Sequence, residues 1–194
     1  MRRYLWAAAP VLLAAAGGDY LSARGKIAAI QEERVPPGGE VRLSEREVNE
    51  YVRAEIPNVV PEGVRNARVT LAKDRASGYA LVDFVKLRRA RGRETGWLLR
   101  QLIDGERAVH VRARIVSGGG QATVFVERVE LDGMEISGAT LDFLVDAFLL
   151  PLYPEAKIGR PFELSHNVER LDVRPNEVRV RIASTGAARA SSGF

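Results

Sequence analysis

The chain has 194 residues, 29 Lys and Arg against 25 Asp and Glu, no cysteine and two histidines. That length suits one domain with appendages, large enough to bury a core without a covalent staple. The missing cysteines exclude disulfides, thiol nucleophiles, Cys-bound zinc, iron–sulfur clusters and a lipid-modified anchor, and two histidines leave too few ligands for a multi-His metal centre.

Met1-Arg2-Arg3 is a basic start, Leu5 to Ala16 is an apolar run interrupted by Pro10, and Ala14-Ala15-Ala16-Gly17 offers small residues for cleavage. This is the layout of a secretory signal peptide, and it is shorter than the roughly 20 residues a spanning helix needs. Residues 1–16 are therefore read as a signal peptide, with an N-terminal anchor that stays attached as the alternative. Without them two arginines go, and the net charge falls from +4 to +2. The basic pI then gives no nucleic-acid footprint. Residues 17–39 read as a helical or loose linker that stops at Val35-Pro36-Pro37-Gly38-Gly39. The domain is expected over 40–183, followed by a flexible tail over 184–194.

Ser44-Glu45-Arg46-Glu47 forms a capping box, and Val48, Tyr51, Val52 and Ile56 follow at helical spacing until Pro57. Val64 to Ala72 alternates as a strand. A turn at Ala76-Ser77-Gly78 would lead into a second strand over Tyr79 to Arg89, closing an antiparallel hairpin. Thr95 to Ile103, with Trp97, Leu98 and Leu102, suits a short helix, with a strand as the alternative. Arg107 to Ser117 sets Val109, Val111, Ala113 and Ile115 against His110, Arg112 and Arg114, and Gly118-Gly119-Gly120 turns it into a partner over Gln121 to Leu131. Ser137 to Leu150 carries Leu141, Leu144 and Phe148 on one side and Asp142 and Asp146 on the other, before Pro151 and Pro154. Val168 to Val173 and Glu177 to Ile182, joined through Arg174-Pro175-Asn176, make a closing hairpin. The fold class is α+β: a long, curved, mostly antiparallel sheet with two or three helices packed against it.

Little in this pattern equips the chain for catalysis. His110 lies on the polar face of a strand, and His166 sits in a loop beside Ser165 with no third group to orient the pair. Asp142 and Asp146 share a helix face and read as its solvated side. No nucleophile elbow, phosphate loop, dinucleotide fingerprint or acidic metal loop occurs. The expectation is a protein that is not an enzyme and needs neither cofactor nor metal. The basic cluster Lys86, Arg88, Arg89, Arg91 and Arg93 could meet anionic lipid head groups. The solvated end of a strand is an equal reading. The apolar helix faces either pack a core or line a groove in which an acyl chain would be buried; periodicity leaves both open.

Leu43-Ser44-Glu45-Arg46-Glu47-Val48-Asn49-Glu50-Tyr51 resembles the opening helix of small exported or membrane-anchored bacterial envelope proteins with a tubular-lipid-binding (TULIP-like) architecture. These include the LmeA-like and YceB-like lipoprotein families. Gly159-Arg160-Pro161-Phe162-Glu163-Leu164, followed by Val168 to Val178, is similar to their closing hairpin. Two departures are the absent lipoprotein cysteine and Asn176, where that group often has glycine. The resemblance implies a strongly bent sheet with an apolar groove for phospholipid or another amphiphile, and it supplies no catalytic residues. On this basis the ligand-binding residues are expected to be Val52, Trp97, Leu98, Leu102, Leu144 and Phe148. Lys86, Arg88, Arg89 and Arg91 would lie near an anionic head group. The partners are then a lipid or amphiphile and a membrane surface, not nucleic acid, in the periplasm or cell envelope. The alternative is a structural or protein-interaction module with a fully packed core.

Overall fold

The structure is a computed structural model, and it describes residues 9–59, 62–89, 105–145 and 158–184. Among these residues the chain is α+β with two antiparallel sheets. Helix α1 spans Ala9–Gln31, strand β1 Glu40–Ser44 and helix α2 Glu45–Val59. Strands β2 (Val64–Ala72) and β3 (Arg75–Asp83) follow, then helix α3 (Phe84–Arg89). Next come β4 (Glu106–Gly118), β5 (Gln121–Leu131), β6 (Met134–Glu135) and helix α4 (Gly138–Leu144). Strands β7 (Phe162–Glu163), β8 (Val168–Arg174) and β9 (Glu177–Ile182) complete the described part.

The larger sheet runs β2-β3-β4-β5-β6, with β7 pairing the start of β5. Register puts Val109, Val111, Ala113 and Ile115 opposite Leu131, Val129, Val126 and Val124, so the alternation in β4 and β5 makes one face apolar. That face curves because two bulges each insert chain into one strand of a pair, which bends it. One lies between Arg65 and Arg68 of β2, the other opposite Arg112/Ala113 in β5. Glu127, the extra residue of the second bulge, reaches Arg75 at 2.9 Å and Arg114 at 3.8 Å. The smaller sheet is β1-β9-β8, and its inner face joins Val168, Val180 and Ile182 to Ile30 and Val35.

The two sheets meet through backbone groups. Ser117 Oγ donates to the Leu171 carbonyl at 2.6 Å and accepts from the Leu171 amide at 2.9 Å. The amides of Gly120 and Asp74 donate to the Glu169 and Val173 carbonyls. Strand β8 is thereby fastened to the turn ends of both hairpins of the larger sheet.

Several sequence expectations need correction. The first hairpin turns at Lys73-Asp74, and Ala76-Ser77-Gly78 lies inside β3; Asp74 supplies the left-handed residue the short turn needs, at φ 56°. The strand expected over Tyr79 to Arg89 ends at Asp83, and its second half is α3. The switch comes from Asp83, whose carboxylate accepts from the Lys86 amide at 2.9 Å as a helix cap. Gly63 supports this corner at φ 97°, where a Cβ would stand 2.8 Å from the Asp83 carbonyl. Pro57 lies inside α2 rather than ending it, because its missing amide removes a single bond within the last turn. Glu40–Ser44, which carried no element in the sequence reading, is β1. Asn176 sits at φ 65° in the β8–β9 turn, a conformation Asn tolerates better than most residues, which accounts for asparagine where the resembled families use glycine.

Of the residues read as a helical or loose linker, 17–31 form the second part of α1 and 32–39 the turns that lead into β1. Ala23 is fully buried, and the helix runs alongside α2 in the opposite direction, with Tyr20 stacked on Tyr51 at 6.4 Å and Lys26 at Glu47. Among the described residues no helix is long and apolar enough to cross a membrane.

Candidate functional site

The quoted opening motif proves to be a junction. Ser44 and Glu47 make the reciprocal capping box, with the Ser44 amide 2.7 Å from Glu47 Oε2 and the Glu47 amide 3.2 Å from Ser44 Oγ. The other carboxylate oxygen of Glu47 accepts from Ser22 Oγ and Lys26 Nζ, each at 2.5 Å, which ties α1 to α2. Glu47 is 7% exposed. Burial alone would raise its pKa, but the Lys26 ammonium, the Ser22 hydroxyl and the Ser44 donors outweigh it and lower it to about 2.

Two further side chains of the motif face β2, which is the edge of the larger sheet. The Asn49 carboxamide donates to the Val69 carbonyl and accepts from the Val69 amide, both at 2.7 Å, and Glu45 Oε2 accepts from the Leu71 amide at 2.7 Å. An unpaired strand edge invites pairing with another chain; here helix side chains occupy it and fix α2 across the sheet. Asn49→Ala leaves the Val69 groups unsatisfied and is expected to destabilise by about 1–3 kcal/mol. Chemical denaturation should show this as a lower midpoint at unchanged slope.

So placed, α2 leaves an open trough between itself and the apolar face of β2, β3 and β4. It holds about 250 Å³, and its walls are almost wholly apolar: Val52 and Ile56 from the helix, and Val69, Ala80, Val109 and Val111 from the sheet. Gly78, in the middle of β3, sits on the floor with Val69 and Val111 as its cross-strand neighbours. A Cβ built on Gly78 meets nothing within 4 Å. At the far end of the same face Phe84 and Leu87 of α3 pack with Val64, Val82, Val109 and Leu131.

Of the residues expected to bind a ligand, Val52 lines the trough. Trp97, Leu98, Leu102 and Phe148 lie outside the described residues, and Leu144 ends α4 with its side chain outside the described part. Of the basic cluster, Lys86, Arg88 and Arg89 belong to α3 and not to a strand end; Lys86 is exposed and pairs with Asp83 at 3.4 Å. The side chains of Arg88 and Arg89 and all of Arg91 and Arg93 lie outside the described part. Ile56, Val69, Gly78 and Ala80 are additions. Val69, Val109 and Val111 already stood on the apolar side of their strands, but Gly78 had been assigned to a turn.

Among the described residues, groups with chemical potential are dispersed. His110 Nδ1 is 3.6 Å from Glu130 on the opposite face of the larger sheet, and His166 stands in the loop before β8. Asp142 is exposed on α4, and Asp146 lies outside the described residues. Among the described residues no three His, Asp or Glu side chains gather as a metal set.

The fold and trough thus define a class: an α+β domain whose helix leaves an apolar trough open along a bent antiparallel sheet. No family model matches the sequence, and no curated protein matches it. Among solved structures, the chain is similar to one described as the crystal structure of lipopolysaccharide binding protein, at 11% identity and a TM-score of 0.23. The match covers 74% of this chain and 40% of that one. A likeness this weak carries neither a fold nor a ligand across.

Proposed function

We propose that this chain is a non-catalytic, exported domain of the cell envelope that takes the acyl part of a phospholipid or similar amphiphile into the trough between α2 and the larger sheet. The observation that supports it is the trough itself, apolar on both walls and open, with a glycine on its floor. Each methylene moved from water into such a site contributes about 0.8 kcal/mol, so about ten buried methylenes match the roughly 8 kcal/mol of micromolar binding. Among the described residues the titratable groups are dispersed, which favours binding over catalysis, since a reaction centre needs a nucleophile, a base and an orienting group in contact. The basic-apolar-small layout of residues 1–17 supports export, either with cleavage or as a retained anchor.

Protein purified from a lipid-containing host is expected to carry extractable lipid by native mass spectrometry, and to take up a fluorescent fatty acid after delipidation. Absence of both would refute the carrier reading and leave a module that binds other proteins.

A further inference from the structure

The outer face of the small sheet consists of ionisable side chains and one serine. Alternation along β1, β9 and β8 turns Val41, Leu43, Val178, Val180, Leu171 and Val173 inward. It turns Arg42, Arg170, Arg174, Arg179 and Arg181 outward, and the β2–β3 turn adds Lys73. Four carboxylates share the face: Glu40, Asp74, Asp172 and Glu177. These side chains, apart from Arg42 and Glu177, line a polar concavity of about 370 Å³.

The ion pairing there is lopsided. Glu40 is 2.7 Å from Arg42 and 3.9 and 3.7 Å from Arg179 and Arg181, Glu177 holds Arg179, and Asp172 holds Arg174 at 2.7 Å. Hydrogen bonds from Arg42 and Arg174 hold Glu40 and Asp172 below the ordinary carboxylate range, so both stay anionic. Arg170 and Lys73 make no side-chain hydrogen bond or ion pair among the described residues, and Arg181 has only the long contact to Glu40. Moreover, Arg170 and Arg181 stand directly opposite one another across β8 and β9. Like charges in that position oppose folding. Among the described residues Arg170 is attracted by Asp172, two residues along β8, without a bond to it, and that carboxylate is already held by Arg174; an external anion lying across the pair would relieve the repulsion.

We infer that the outer face of the small sheet docks on an anionic phospholipid surface, with Arg170, Arg181 and Lys73 meeting head-group phosphates. The face suits a surface of many phosphates better than a buried ligand: it extends over three strands, it presents no apolar side chain, and its excess cations are spread over two strands and a turn. It lies at the turn end of the β2–β3 hairpin, opposite the end that carries α3 and Lys86. The choice of a lipid surface over nucleic acid rests on the envelope setting proposed above.

The test is cosedimentation of the full chain with vesicles of phosphatidylcholine, with and without phosphatidylglycerol. Wild type should bind only the anionic vesicles and release as salt screens the charge. Arg170→Gln with Arg181→Gln should weaken binding about 30-fold, at about fivefold per basic residue near the surface. Its Tm should stay level or rise, since a like-charge pair is relieved. Lys73→Gln with Arg170→Gln removes side chains that make no hydrogen bond or ion pair among the described residues, so it should weaken binding similarly with little cost in stability. Arg68→Gln with Arg112→Gln makes the same charge change on the larger sheet and should have far less effect. The inference is overturned if wild type ignores anionic vesicles, if the small-sheet variants bind like wild type, if the Arg68 and Arg112 variant loses as much, or if duplex RNA or DNA is held more tightly than the vesicles. A protein with its trough blocked should still dock, so failure of lipid uptake and failure of docking are separate results.

Discussion

Gly78→Phe is expected to lower fatty-acid affinity about 100-fold while the protein stays folded. Gly78 has strand neighbours on both sides, Val69 and Val111, and open space above it. Its φ lies outside the left-handed region, so a side chain brings no backbone strain there. A phenyl ring would take up much of the 250 Å³ between Val52 and the sheet. Excluding about three to four methylenes of an acyl chain at about 0.8 kcal/mol each brackets that factor. Gly78→Val should show the two effects pulling apart. A β-branched residue suits a strand interior better than glycine by up to about 1 kcal/mol, so Tm should rise while affinity falls less than with phenylalanine. A fatty-acid titration and a thermal melt on the same samples read both quantities. Undiminished uptake by the phenylalanine variant would place the ligand elsewhere or nowhere.

The second large effect concerns Glu47. Glu47→Ala removes the acceptor for Lys26 and Ser22 and half of the capping box at once. Lys26 can turn to water, since its side chain is 36% exposed, so the loss is chiefly that of the cap and the tie between helices, about 2–3 kcal/mol. At about 2–4 °C per kcal/mol, Tm should fall by roughly 4–12 °C. The sign of the pH effect follows from the direction of the shift. The folded pKa of about 2 lies below the ordinary value of 4.5, so the stabilisation is complete above pH 4.5 and disappears as pH falls from there to 2. Glu47→Gln cannot lose a charge, so its melting curves should lack that part of the acid dependence. Parallel acid slopes in wild type and variant would show that Glu47 is not held as an anion between the helices.

How much of this was open to the sequence depends on the range of the interactions. The capping box at Ser44 and Glu47 and the alternation of β4 and β5 are set by neighbours a few residues apart, and both stood where they were read. Helix α1 was not readable as a packed element because it docks through the small Ala23 and through polar bonds to Glu47, while Leu21 remains 64% exposed. It has no apolar stripe to signal a partner. The end of β3 was lost because one carboxylate, Asp83, converts a β-rich stretch into a helix start. Val52 was found as part of a helical face, but the trough it lines is a distance between α2 and a sheet, fixed by the bonds of Asn49 and Glu45 to Val69 and Leu71, 20 and 26 residues further along the chain. The closing hairpin was read as two strands, without its arginines being singled out. That Arg170 faces Arg181 is a matter of register, shifted by a bulge between Val168 and Arg170, and no periodicity reveals it.

The pairing of β1 with β9 has a consequence for synthesis. Glu40 meets Arg181 and Ser44 meets Glu177, so the strand that opens the small sheet is made about 140 residues before its partner. At translation rates of about 5–20 residues per second, β1 waits roughly 7–28 seconds with an unpaired edge. The larger sheet, whose hairpins are local, can form during that interval. The charged side of the small sheet is therefore the last surface to be completed, and the nascent chain carries its trough before it carries the face proposed to dock.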